Sequence, residues 1–126
     1  MKEDKKFDLQ ERFIDFAVNI IKLSEKLPET RTGKHISLQL LRSGTSVAAN
    51  YGEAQSAESK ADFVHKLKIA LKELRETEIW LKVIFRSKML TALECLSLLQ
   101  SLIKETDELI SILFKCIQTA NKRNSS

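Results

Sequence analysis

Apolar residues recur along this chain at intervals of three and four, the spacing that places side chains on one face of an α-helix. Four segments with this pattern are separated by short polar breaks. They predict helices over residues 8–27, 33–55, 59–87 and 91–120. Two long helices, a short connection between the last two segments and no internal repeat favour an all-α, antiparallel up-down-up-down four-helix bundle.

Residues at the breaks suit helix termini. Asp8, Ser59 and Thr91 are predicted N-caps, because a short polar side chain there can accept a hydrogen bond from a first-turn amide. Pro28 is expected to end the first helix, since a residue that precedes proline disfavours the helical conformation. The second helix is expected to begin near residues 32 and 33.

The second helix combines small residues with a line of polar ones. Gly44 lies among serine, threonine and alanine, which favours a close crossing with another helix, held by tertiary contacts. Beside the apolar positions runs a polar seam: Gln39, Arg42, Ser46, Asn50 and Glu53. The seam can pair with neighbouring helices or line a ligand groove, and we favour the structural role because half-buried polar groups require partners.

The third helix carries the excess positive charge of the chain. Its apolar positions are Phe63, Leu67, Ala70, Leu74, Leu81 and either Ile84 or Phe85. Between Lys60 and Lys88 there are eight basic and four acidic residues, a difference equal to the net charge of +4. A predicted basic face consists of Lys68, Lys72, Arg75, Lys82 and Arg86. It is either a solvated face with acidic residues interleaved, as in pairs such as Asp62–Lys66 and Glu78–Lys82, or a phosphate-binding surface.

The fourth helix has two apolar stripes. The first consists of Leu96, Leu99, Ile103, Ile110, Leu113 and Ile117. The second consists of Leu98, Leu102, Leu109, Ile112 and Cys116. One stripe satisfies a four-helix core, so the second predicts an interface with another subunit.

Composition narrows the possible classes of protein. With 126 residues and 43% apolar residues, the chain is expected to form a single domain over residues 1–126. Three glycines and one proline are too few for a β-sandwich, a β-barrel or a glycine-rich nucleotide loop. The two cysteines lack zinc-site spacing and are expected to be free thiols. The charged first ten residues and the lack of a membrane-spanning run predict a soluble cytoplasmic protein with no membrane partner.

No catalytic or metal-binding arrangement is evident. A di-iron bundle requires Glu-x-x-His pairs on two helices, and the two histidines, His35 and His65, lack them. The Arg-x(4–6)-His nuclease spacing is also absent, and no serine lies in a nucleophile elbow. We therefore expect a protein that is not an enzyme and that uses no cofactor or metal.

Two stretches carry a family resemblance. Residues 39–54, QLLRSGTSVAANYGEA, and 60–81, KADFVHKLKIALKELRETEIWL, resemble the bacterial four-helix-bundle family named after proteins encoded in intervening sequences of 23S rRNA genes. The resemblance implies a ring-shaped homopentamer with a central channel and no established enzymatic activity. Basic accessory proteins of diversity-generating retroelements, which bind nucleic acid and a reverse transcriptase, look like distant relatives. Family motif positions fall on the polar seam and on Lys72, Glu73, Glu76 and Trp80, where helix–helix or subunit contacts are expected.

Two functional hypotheses follow. The first is a non-enzymatic oligomeric scaffold that binds RNA or DNA through the basic face of the third helix. The alternative is a protein–protein interaction adaptor with no nucleic-acid role, in which the basic face is incidental.

Overall fold

The computed structural model describes residues 8–125, and side chains through residue 122. It contains the helices α1 (Leu9–Ser24), α2 (Arg31–Gln55), α3 (Lys60–Ser87) and α4 (Leu93–Ser125). No strand occurs in this part of the chain. The prediction of an all-α protein with four helices is confirmed.

Two of the predicted N-caps are confirmed. The Asp8 side chain accepts a hydrogen bond from the Glu11 amide at 3.2 Å, and the Ser59 hydroxyl accepts one from the Asp62 amide at 3.0 Å. Helix α1 ends at Ser24, three residues before the predicted end. The Leu27 amide bonds to the Ser24 carbonyl at 3.3 Å, an i→i+3 turn that tightens the chain before Pro28.

The starts of α2 and α4 differ from the prediction. Helix α2 begins at Arg31 with Thr30 as its N-cap, since the Thr30 hydroxyl accepts from the Gly33 amide at 3.0 Å. Helix α4 begins at Leu93, and the Leu96 amide bonds to the carbonyl of Ala92 at 3.0 Å. Ala92 therefore occupies the N-cap position that was predicted for Thr91. Helix α4 also continues past residue 120 to Ser125, because no glycine or proline interrupts it.

The four helices form a closed cycle of contacts. Each packs against the next along the chain, and α1 also packs against α4. Between α1 and α2, the Gln10 amide group donates to the Ala48 carbonyl at 3.2 Å, while the Ser37 hydroxyl donates to the Ser24 carbonyl at 3.2 Å. The paired residues of these two helices therefore run in opposite order along the chain.

The core lies between the helices and consists mainly of leucine, isoleucine and phenylalanine. Its largest fully buried side chains are Phe13, Phe16, Ile20, Leu23, Leu40, Leu67, Leu74, Leu81, Ile84, Leu99, Leu102 and Leu109. Of the two candidates at the end of α3, Ile84 is buried, whereas Phe85 is 47% exposed.

The second stripe of α4 is not surplus to this core. Leu102 and Leu109 are only 2% and 0% exposed, and Leu98, Ile112 and Cys116 are half-buried against the core. Helix α4 contacts α1 as well as α3, so it needs two apolar faces within a single chain. The prediction that the second stripe is an interface with another subunit was therefore wrong for Leu102 and Leu109.

Gly44 lies at a close approach of α1 and α2. A Cβ atom at this position would lie 2.8 Å from both Cγ1 and Cγ2 of the buried Ile20. No real Cβ is accommodated at such a distance without movement, so the two backbones approach this closely only with glycine at this position.

Candidate nucleic-acid interface

All five residues of the predicted basic face are exposed on the outer side of α3. The helical period of 3.6 residues places Lys68, Lys72, Arg75, Lys82 and Arg86 along one side. At 1.5 Å per residue, the face extends about 27 Å from Lys68 to Arg86. This is a rigid row of cations, since every member lies on one continuous helix.

Two of the three glutamates of α3, Glu73 and Glu76, point towards α2. The Arg42 guanidinium pairs with Glu73 at 3.3 Å and also contacts the carboxylate of Glu76. The Trp80 indole N–H donates to Glu76 Oε2 at 3.1 Å, which holds the same carboxylate in the groove between α2 and α3. Arg42 of the polar seam therefore helps to hold two negative charges away from the basic face.

Lys66 and Lys82 form the remaining ion pairs of α3. The Lys66 ammonium lies 2.6 Å from Glu53 Oε1 on α2, and this hydrogen bond raises the pKa of Lys66. The partner of Lys66 is thus Glu53 across the helix interface rather than Asp62, which the helical spacing had predicted. Lys82 lies 4.0 Å from Glu78, the predicted i,i+4 pair.

Four cations of the basic face have no carboxylate partner among the described residues. Lys68, Lys72, Arg75 and Arg86 each lack an acidic group within 4.0 Å in this part of the chain. Glu73 and Glu76, which pair with Arg42, are therefore separated from these cations, whereas Glu78 lies beside Lys82. A row of unpaired cations on one rigid helix is suited to contacting successive phosphates.

The polar seam makes contacts within and between helices. Arg42 and Glu53 reach α3, and Gln39 Oε1 accepts from Arg42 at 3.4 Å. The Ser46 hydroxyl donates to the Ser43 carbonyl at 2.9 Å, and the Asn50 amide group donates to the Ser46 carbonyl at 2.9 Å. The seam residues thus bond to their own helix or to α3.

A buried hydroxyl pair between α2 and α3 was not predicted. Ser43 and Thr77 are both fully buried, with their hydroxyl oxygens 2.9 Å apart. The signal was present in the sequence, because Thr77 occupies the core position between Leu74 and Leu81 at helical spacing. The pair links α2 and α3 at the level of the small residues around Gly44.

An ion-pair cluster joining α1 to α4 was also missed. Arg12 lies 2.9 Å from Glu105 and 2.7 Å from Glu108. The hydrogen bond to Glu105, followed by that to Glu108, raises the pKa of Arg12 against the opposing effect of burial. The sequence separation of about 90 residues gives no local signal for this cluster.

Large apolar side chains are exposed on every helix, singly at Leu38 of α2 and at Leu93 and Phe114 of α4, and in groups on α1 and α3. On α1 these are Ile14, Val18 and Ile21, with exposed fractions of 41%, 43% and 44%. On α3, Ile79 and Val83 lie among the basic residues with exposed fractions of 58% and 36%. A helical-wheel reading of α1 beyond its core positions would have found the first group.

These observations define an all-α protein of four helices whose third helix carries a cationic outer face. The chain belongs to the 23S rRNA-intervening sequence protein family, whose family profile matches residues 5–115. No described helix is both long enough and apolar enough to cross a membrane.

A solved relative shares this fold. It is the crystal structure of a protein with unknown function from the S23 ribosomal protein family of Bacteroides thetaiotaomicron, with 38% sequence identity and a TM-score of 0.76. The likeness covers 86% of this chain and 96% of that chain. Among proteins with curated descriptions, no match was found.

Proposed function

We propose that this protein is a non-enzymatic oligomeric scaffold that binds RNA or DNA through the basic face of α3. The supporting observation is the separation of charge, in which Arg42 and Trp80 hold Glu73 and Glu76 in the groove between α2 and α3. Phosphates that approach the outer side of α3 then meet cations with few nearby carboxylates. This arrangement favours binding, because cations that neutralise phosphates release the counterions of the nucleic acid.

The proposal includes assembly. We infer an up-down-up-down bundle that forms a ring-shaped homopentamer in the cytoplasm, consistent with the pairing order of α1 and α2 and with the family resemblance. Five copies would carry five times the net charge of +4. Several basic faces on one ring would act together, because the first contact raises the effective concentration of the others.

Charge reversal tests the nucleic-acid role. The variant Lys68→Glu/Lys72→Glu/Arg75→Glu is compared with the wild type by fluorescence anisotropy of a labelled single-stranded RNA, an RNA hairpin and a DNA duplex. Because up to three phosphate contacts are lost from each basic face, we expect the slope of log K against log salt to fall by about 3 for every face that contacts the nucleic acid. The matched control, Lys26→Glu/Lys34→Glu/Lys104→Glu, changes the net charge equally at exposed lysines elsewhere and should retain tighter binding than the α3 variant.

The outcome also separates the adaptor hypothesis from this one. If the α3 variant binds all three nucleic acids as tightly as the control at moderate salt, the basic face is not the interface. Retention of a specific protein partner after nuclease treatment, together with that result, would favour the protein–protein adaptor.

A further inference from the structure

Two exposed apolar patches lie on helices that are not neighbours in the cycle of contacts. The α1 patch consists of Ile14, Val18 and Ile21, which follow one another at steps of four and three along a single face. The α3 patch consists of Ile79 and Val83. Contacts between helices run from each helix to the next and from α4 to α1, so α1 and α3 lie across the bundle from each other.

The charges around the two patches have opposite sign. Exposed Glu11 and Glu25 lie at the two ends of the α1 patch and Asp15 lies beside it. Two exposed lysines are near them in sequence, Lys22 and Lys26, which leaves an excess of one negative charge. Arg12 is also near in sequence, but it pairs with glutamates of α4.

Cations surround the α3 patch. Lys82 and Arg86 lie beside Ile79 and Val83, and together these four residues line one shallow depression. The acidic residue nearest in sequence, Glu78, lies 4.0 Å from Lys82. Arg86 has no carboxylate within 4.0 Å among the described residues.

The charges decide which patches can pair. The α1 patch spans about 10 Å from Ile14 to Ile21, and the α3 patch spans about 6 Å from Ile79 to Val83. Docking α1 patches against each other would bring glutamates together, and docking α3 patches against each other would bring cations together. Of these three pairings, only that of an α1 patch with an α3 patch joins apolar residues and opposite charges.

We propose that the α1 patch of one copy of this chain docks on the α3 patch of a second copy, a head-to-tail contact that repeats from subunit to subunit. Such a heterologous contact generates a ring when its rotation closes. The inference rests on the oligomeric part of the proposed function and locates its subunit contact. It divides α3 in two: Ile79 to Arg86 contact the neighbouring subunit, while Lys68, Lys72 and Arg75 stay accessible to nucleic acid.

Mixing two complementary variants tests the head-to-tail arrangement. Val18→Asn/Ile21→Asn removes the α1 patch, and Ile79→Asn/Val83→Asn removes the α3 patch. Each variant keeps one intact patch, so each alone should be a monomer by size-exclusion chromatography with light scattering. An equimolar mixture should form a 1:1 complex of twice the 14.4 kDa chain mass, because one intact α1 patch can meet one intact α3 patch.

Charge-swap variants give a second measurement that leaves the apolar residues in place. Glu11→Lys/Glu25→Lys and Lys82→Glu/Arg86→Glu should each weaken assembly, and the chain carrying all four substitutions should recover it. Phe114→Asn is the matched apolar control, since Phe114 is 47% exposed on α4, outside both patches, and this variant should assemble like the wild type. Far-UV circular dichroism verifies that each variant keeps its helical content.

Three outcomes would overturn the inference: a monomeric wild type, assembly of both patch variants like the wild type, or a mixture of the two that stays monomeric. The RNA measurement is independent, because the Lys68→Glu/Lys72→Glu/Arg75→Glu variant keeps both patches. That variant could assemble normally and lose RNA binding while the mixture of the two patch variants forms no complex. This result would refute the contact between the α1 and α3 patches, and the nucleic-acid proposal would stand.

Discussion

Replacing the Thr77 hydroxyl tests how far the buried pair with Ser43 stabilises the contact between α2 and α3. Thr77 Oγ1 lies 2.9 Å from Ser43 Oγ and 2.8 Å from the Glu73 carbonyl oxygen. Ser43 Oγ has a second, weaker option, the Leu40 carbonyl at 3.4 Å. Both side chains are 0% exposed, so water cannot replace a lost partner.

The three variants of a double-mutant cycle should differ in a defined order. Thr77→Val leaves the buried Ser43 hydroxyl with only the long bond to Leu40, and we expect a loss of about 1–2 kcal/mol in the free energy of unfolding. Ser43→Ala leaves Thr77 bonded to the Glu73 carbonyl, so the loss should be smaller, about 0.5–1 kcal/mol. The double variant replaces both hydroxyls by apolar groups of similar shape and should lose less than the sum of the two.

The assay is urea unfolding followed by far-UV circular dichroism at 25 °C. All proteins are measured at one concentration, because self-association shifts the apparent stability. Equal losses in the two single variants, or losses that add in the double variant, would show that the hydroxyl pair does not contribute as a unit. Thr77→Ser is the matched control, since it keeps the hydroxyl and removes only a methyl group, at a cost of about 1 kcal/mol.

Two further predictions concern packing and pH. Gly44→Ala should destabilise the fold by about 1–2 kcal/mol in urea unfolding, although alanine has the better helix propensity, because the new Cβ meets Ile20 at 2.8 Å. Gly52→Ala in the same helix is the control. Its Cβ meets only the flexible end of Gln10, so this substitution should be neutral or stabilising. Equal effects of the two substitutions would contradict the close approach at Gly44. Burial raises the pKa of the Cys116 thiol, so the folded state disfavours the thiolate and stability should fall as pH rises above about 8.5. Cys116→Ala should lessen that fall when urea unfolding is compared at pH 7 and 9.5, and an unchanged pH dependence would contradict it.

Much of the candidate site could be located from sequence, but its electrostatics could not. The positions of Lys68, Lys72 and Arg75 on one outer face follow from helical spacing alone. The same spacing also allowed a solvated face in which glutamates are interleaved with these cations. The actual partner of Glu73 and Glu76 is Arg42, some 31 and 34 residues earlier in the chain, and no local pattern gives that pairing.

The apolar residues show the same division between local and tertiary information. Periodicity identified both stripes of α4 but assigned the second to another subunit, whereas Leu102 and Leu109 complete the core of their own chain. It also left Ile84 and Phe85 as alternatives on α3, because both lie near the edge of the apolar face. Burial against the other helices placed Ile84 inside and left Phe85 47% exposed.

The sequence by itself determined the local structure: four helices, two of their N-caps, most core positions and the side of α3 that carries positive charge. These depend on residues within one or two helical turns of each other, where spacing and capping chemistry act directly. Only the tertiary structure decided which glutamates neutralise which cations, which apolar residues of α4 are covered by α1, and which faces of α1 and α3 remain exposed. Those outcomes depend on the side chains that neighbouring helices bring to each face, and periodicity within a single helix contains no information about its neighbours.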